Sequence, residues 1–156
     1  AKKLLADPVS VAKLLLPVDC LVAEDISGKD PGRVVPVTAI PADRAGVDIG
    51  PDSLAAIEDA LSDARTIVWN GPMGVFEVDA YAGGTVGVAR AVAKATKRGA
   101  FTVVGGGDSL AAVNRAGLED QISHCSTGGG ASLEFLEGRI LPGVAALQAA
   151  SGSRAS

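Results

Sequence analysis

Thr102-Val103-Val104-Gly105-Gly106-Gly107-Asp108-Ser109 is the stretch whose reading decides the fold. A β-branched run leads into three glycines, and a helix-like run to Ala116 follows. Glycines lack a Cβ, so a backbone there can approach a ligand closely. A helix starting at Asp108 would aim unpaired N–H groups and a partial positive charge at that ligand. Phosphate is the usual occupant of such a position. The Asp108 carboxylate is a hard oxygen ligand suited to magnesium beside phosphate. A tight strand-to-helix turn with Asp108 as an ordinary N-cap explains the same letters. The loop alone leaves both readings open. It lacks the lysine and spacer of a Walker loop, and no Gly-x-Gly-x-x-Gly opens a first strand unit.

Working outward, further strand patterns are expected at Val18 to Ala23, Val34 to Ile40 (interrupted by Pro36), Arg65 to Asn70, Ala100 to Val104 and Ile122 to Cys125. Helices are expected between them. Pro51 to Ala64 has Pro51 in its first turn and an apolar face of Leu54, Ile57 and Leu61. Ala80 to Arg98 is stopped by Gly99, Asp108 to Ala116 by Gly117, and Ala131 to Glu137 by Gly138. Alternation at this spacing predicts an α/β fold: a parallel sheet flanked by helices, a Rossmann-like three-layer α/β/α arrangement. Ligands of such sheets bind beyond the carboxyl ends of the strands.

Three successive strands end in glycine-rich turns. These are Asn70-Gly71-Pro72-Met73-Gly74, Gly105 to Ser109, and Ser126-Thr127-Gly128-Gly129-Gly130. All three are expected on one sheet edge. The run Gly128, Gly129, Gly130 is costly in chain entropy, and an anion facing its N–H groups is a reason to keep it. A sharp turn alone is the plainer reading. Glu77 reads either as a solvated charge or as an acceptor for ribose hydroxyls. His124 reads as a structural strand histidine, Trp69 as core, and Lys94, Lys97 and Arg98 as partners of a helix C-terminus.

The 156 residues are 47% hydrophobic and 21% charged, enough for one domain with a real core. Net charge is −4 and no basic block occurs, which argues against nucleic acid and anionic membrane as partners. Aromatics at 3% offer no base-stacking platform. Cys20 and Cys125 lack metal-ligand spacing and read as buried free thiols of a reducing, cytoplasmic compartment. No signal peptide or membrane-spanning run is visible. Ala1-Lys2-Lys3-Leu4-Leu5 reads as if already inside a helix, so the chain is expected to be a piece of something longer. Residues 148–156 are expected as a flexible polar tail after a domain over 1–147.

Trp69-Asn70-Gly71-Pro72-Met73-Gly74-Val75-Phe76-Glu77, Gly105-Gly106-Gly107-Asp108-Ser109 and Ser126-Thr127-Gly128-Gly129-Gly130-Ala131-Ser132-Leu133-Glu134 together resemble the signature segments of phosphoglycerate kinases, in that family's order and spacing. Leu141-Pro142-Gly143-Val144 is similar to its closing segment and Leu16-Pro17-Val18-Asp19 to an earlier one. The resemblance implies reversible phosphoryl transfer between 1,3-bisphosphoglycerate and ADP, giving 3-phosphoglycerate and ATP, with magnesium. It implies a two-lobed, monomeric, cytoplasmic enzyme of glycolysis or carbon fixation, of which this chain resembles the later part of the nucleotide lobe.

By position, the resemblance puts Gly46, Asn70 and Pro72 along the base cleft and Glu77 on the ribose. Gly105, Gly106, Gly107 and Ser109 fall by the phosphates, Asp108 on the magnesium, and Gly128, Gly129 and Gly130 facing the phosphoryl group in transit. Ser126 and Thr127 match a hinge. Family members are well over twice this length. Their phosphoglycerate lobe and their phosphate-gripping lysines have no counterpart here, so the chain is expected to be inactive alone. A non-catalytic nucleotide-binding module is the alternative.

Overall fold

A computed structural model of the chain describes residues 1–152. In chain order its elements are α1 (Lys2–Leu5), α2 (Pro8–Val11), β1 (Asp19–Ala23), β2 (Arg33–Pro36), β3 (Ala45–Ile49), α3 (Pro51–Leu61), β4 (Thr66–Asn70), α4 (Gly83–Lys97), β5 (Phe101–Gly105), α5 (Gly107–Arg115), β6 (His124–Ser126), α6 (Gly129–Leu136) and α7 (Pro142–Gly152). The expected parallel sheet is present, in the order β4-β5-β6 and flanked by helices. Beside it lies a second, antiparallel sheet in the order β2-β1-β3, which the strand patterns did not foretell.

The parallel sheet forms where β-branched and aromatic residues alternate. Ile67 and Trp69 of β4 are buried, while Val68 on the other face is 45% exposed. The buried face meets α4, whose Val88, Ala89, Val92 and Ala93 form one stripe at helical spacing. Val104, Val113 and Ile122 complete this core, and Leu54, Ile57 and Leu61 of α3 pack on it as expected. Helices α3 and α4 touch at Gly87, where a Cβ would fall 2.4 Å from Leu54 Cδ2. The opposite face is less covered. Val68, Val103, Phe135, Leu136, Leu141 and Val144 surround an apolar hollow of about 500 Å³ there.

Strands were expected at β1 and β2, but the sheet they form escaped notice because its third strand, β3, contains Gly46 and Asp48, both poor strand formers. Asp48 is tolerated because it accepts hydrogen bonds from Gly84 N (2.6 Å) and from Ile49 N (2.9 Å). The strand expected over Val34 to Ile40 ends at Pro36, and Val37–Ala39 is a 3-10 turn. The long helix expected from Ala80 starts at Gly83, after a 3-10 turn at Asp79–Tyr81. Gly99 (φ +96) and Gly117 (φ +67) follow helix ends in left-handed conformation. Both cysteines are free and half-buried. Burial raises each thiol, aided at Cys20 by Asp48 and Asp19 and at Cys125 by Glu119. Helix α7 continues through Gly152 and so takes in the first part of the segment expected as a tail. Residues 153–156 of that segment lie outside the described residues.

Candidate functional site

Register alone brings the glycine turns together. Asn70 pairs with Gly105, and Gly105 with Ser126, so the last residues of β4, β5 and β6 stand side by side at one carboxyl edge. Gly106 N then donates to Ser126 O at 3.0 Å. Gly106 has φ +92, and a Cβ on it would fall 2.7 Å from Asn70 Oδ1. A Cβ on Gly129 would fall 2.7 Å from Gly106 Cα and 3.1 Å from Asn70 Oδ1. Asn70, Gly106 and Gly129 therefore form one tight knot in which glycine is required by contact. Gly107 and Gly130 are different, since a Cβ on either would meet nothing within 4 Å. These two present bare backbone to open space.

Two helices start at this rim. Helix α5 begins at Gly107 with Gly106 as its N-cap, and α6 begins at Gly129 with Gly128 as its N-cap. No side chain caps either helix. Asp108 is thus not the N-cap that the sequence suggested. The left-handed φ at Gly106 lets the helix start earlier, and Asp108 stands exposed in the first turn. Its carboxylate has no hydrogen bond or ion pair among the described residues. Ser109 is buried, and its Oγ accepts from Gly71 N at 2.6 Å. Trp69 Nε1 donates to Gly71 O at 2.7 Å, so Ser109 and Trp69 together fix the turn after β4.

Beyond that turn the connector crosses to the antiparallel sheet. Met73 N and Gly74 N donate to the buried Thr85 Oγ1 at 3.0 and 3.2 Å. A Cβ on Gly74 would fall 2.5 Å from Val47 O, so the connector lies flat on β3. Gly46, Val47, Met73, Gly74 and Val75 line a cleft of about 380 Å³ there. Gly46 is thus placed in this cleft, while Asn70 belongs to the rim. Pro72 is half-buried on the connector joining them, and Glu77 lies exposed further along it. His124 is exposed on β6.

Asp19, Cys20 and Asp48 also line the cleft, and sequence reasoning had not singled them out for it. Asp48 is buried, and burial pushes its carboxyl up against the opposing hydrogen bonds from Gly84 and Ile49. Asp19 is equally buried, and burial again raises its carboxyl. Bonds from Ser53 Oγ, Ser53 N and Asp52 N outweigh that and hold it below the usual carboxylate range. The signal for both was available: each acid stands in a strand whose other residues are apolar, and a buried carboxylate needs donors.

Among the described residues no group of three or more His, Cys, Asp or Glu side chains is placed to hold a metal ion. Asp108 is a single exposed carboxylate at the rim, so a hard cation there would need its remaining ligands from outside the protein. No described helix is long and apolar enough to cross a membrane.

The family model described as phosphoglycerate kinase matches residues 1–139. Phosphoglycerate kinase of Chlorobaculum tepidum is 58% identical over 135 residues, covering 86% of this chain and 34% of that protein. The chloroplastic phosphoglycerate kinase of Volvox carteri is 56% identical over 135 residues, 86% of this chain and 29% of that one. The solved phosphoglycerate kinase of Coxiella burnetii superposes with a TM-score of 0.78 at 46% identity, over 86% of this chain and 34% of that chain. The chain thus spans about a third of the length of the relatives it matches. With the glycine knot, the uncapped helices and these matches in agreement, the chain belongs to the phosphoglycerate kinase family.

Proposed function

We propose that this chain forms the nucleotide side of a phosphoglycerate kinase that exchanges a phosphoryl group between 1,3-bisphosphoglycerate and ADP, in a cytoplasmic setting. One observation carries the reading. Two helices open at the same rim with bare glycines at Gly107 and Gly130, beside the partnerless Asp108. Uncapped N–H groups and helix dipoles favour an anion there. Gly107 is the natural backbone contact for a nucleotide phosphate, and Gly129 and Gly130 for a phosphoryl group in transit. The cleft at Gly46 and Val75 has room for a base, and Glu77 follows two residues after Val75 on the connector, exposed and within the proposed reach of a ribose. Magnesium, held by Asp108 and the nucleotide, supplies neutralisation of phosphate charge.

The phosphoglycerate partner needs a cationic surface of its own, and Lys94 and Lys97 do not provide it. They end α4, at the opposite edge of the sheet from the rim. Phosphoryl transfer depends on positioning and charge neutralisation. The 156 residues by themselves therefore bind nucleotide without turnover. Calorimetric titration with MgADP, run beside a coupled assay of ATP formation from 1,3-bisphosphoglycerate, tests both halves. Binding without turnover is expected. Turnover overturns the inactivity. Absence of binding at millimolar nucleotide in a folded sample overturns the nucleotide site.

A further inference from the structure

Helix α5 touches the connector after β4 at three points along one of its faces. Near its start, Ser109 Oγ accepts from Gly71 N. In its middle, Ala112 packs in a small buried cluster with Phe76 and Ala82. At its end, Arg115 Nη1 donates to Phe76 O at 2.8 Å and to Glu77 O at 3.0 Å, while Nη2 pairs with the Asp79 carboxylate. Residues 109, 112 and 115 are three apart, the spacing of one helix face. The helix whose first turn opens the phosphate rim is therefore also a splint along the segment that carries Glu77.

The three contacts differ in what they fix. Ser109 and Ala112 hold the turn and the Phe76 ring. Among the described residues, the only hydrogen bond of Glu77 is the one its carbonyl accepts from Arg115. Its side chain is exposed and unpaired. The ion pair with Asp79 is on the surface and contributes little by itself. The guanidinium differs from a simple cation because its flat fork serves two adjacent carbonyls and a carboxylate at once. That fixes the backbone at Glu77, and with it the direction in which the side chain leaves the chain.

We infer that Arg115 is a positioning residue for nucleotide recognition: by clamping the Phe76 and Glu77 carbonyls to α5, it aims Glu77 at the ribose hydroxyls of a nucleotide whose phosphates sit at the start of the same helix. This rests on the reading of Glu77 as the ribose acceptor. One rigid element then sets the spacing between ribose and phosphate contacts. The role was invisible in the sequence, because Arg115 and Phe76 are 39 residues apart and an arginine in a last helical turn reads as a dipole partner.

The test compares MgADP with its 2′,3′-dideoxy analogue on the full chain, measuring both Kd values for the parent, Glu77→Ala, Arg115→Met and the double variant. Methionine keeps an apolar stem of similar reach without donors, and circular dichroism confirms folding. The parent is expected to favour the ribonucleotide by about tenfold, the scale of a hydrogen bond to a charged group. Each single variant should lose most of that preference while binding the dideoxy analogue as the parent does. The double variant should be no worse than either.

A parent preference that Glu77→Ala abolishes and Arg115→Met retains overturns the positioning role alone. Equal weakening of both nucleotides by Arg115→Met also overturns it, since that marks a purely structural contact. A parent without any ribose preference overturns the Glu77 reading and this inference with it. If Arg115→Met fails to fold, Asp79→Asn together with Arg115→Gln replaces it, under the same criteria.

Discussion

Four helices meet the same difficulty at their N-termini, and the molecule answers it in two ways. Helices α3 and α4 are capped from a distance by buried carboxylates. Asp19 accepts from Asp52 N and Ser53 N, and Asp48 accepts from Gly84 N. Helices α5 and α6 start with glycine and have no side-chain cap. Both arrangements place negative charge, or room for it, where helix N–H groups need acceptors. At the antiparallel sheet the protein supplies its own anion. At the rim of the parallel sheet it supplies none and leaves open backbone at Gly107 and Gly130. The difference teaches which helix ends the protein completes by itself and which it leaves open, and the open ones are where the proposed nucleotide phosphates would sit.

The largest expected effect breaks the self-capped side. Asp19→Ala removes the acceptor of the buried Ser53 N and the part-buried Asp52 N, while the Ser53 hydroxyl keeps the Asp19 carbonyl, and should lower stability by about 3 kcal/mol in urea unfolding. A loss below about 0.5 kcal/mol would show that the buried carboxylate is not acting as a cap. Next comes the knot. Gly129→Ala drives a methyl group against Gly106 backbone, which should remove about 2 kcal/mol and separate the turns. Gly130→Ala sharpens the contrast, because its methyl meets no protein atom. It should leave the unfolding midpoint nearly unchanged, yet weaken MgATP binding by about tenfold if the bare backbone there faces the transferring phosphoryl group. Unchanged binding would remove Gly130 from the site.

The smallest effect separates the two caps by pH. Asp19 titrates lower in the folded chain than in the unfolded one. Its contribution is present above the ordinary carboxylate range, near ~4, and is lost as pH falls through the folded value. Asp48 titrates higher when folded. Its contribution is complete below that range and is lost as pH rises through its folded value. In urea unfolding from about pH 3 to 8, Asp19→Asn should flatten the acid loss and Asp48→Asn the decline above the carboxylate range. Identical slopes for the two variants would contradict the opposite shifts.

Much of this site was legible in the chain because its parts are local. Each glycine turn follows its strand directly, and parallel pairing needs only the alternation of strands and helices to put those turns on one edge. What escaped was non-local. Strand β3 was hidden by Gly46 and Asp48, residues that make sense only once Cys20 packs against Gly46 and Gly84 and the connector against Asp48. Asp108 looked like a cap because it follows three glycines, but the φ of Gly106 moved the helix start ahead of it. Also out of reach of the sequence was the bond that Ser109 Oγ accepts from Gly71 N, which ties the start of α5 to the turn after β4.

The sequence by itself determined the parallel sheet, the three glycine turns at its carboxyl edge and the family these belong to. Periodicity and turn chemistry act over a few residues and can be read along the chain. Only the tertiary structure decided which glycines are packing and which are open, which acids cap helices from another sheet, and that Arg115 grips the segment bearing Glu77. Those are properties of distances between residues far apart in the chain. Backbone dihedrals and packing fix such distances, and no local pattern encodes them.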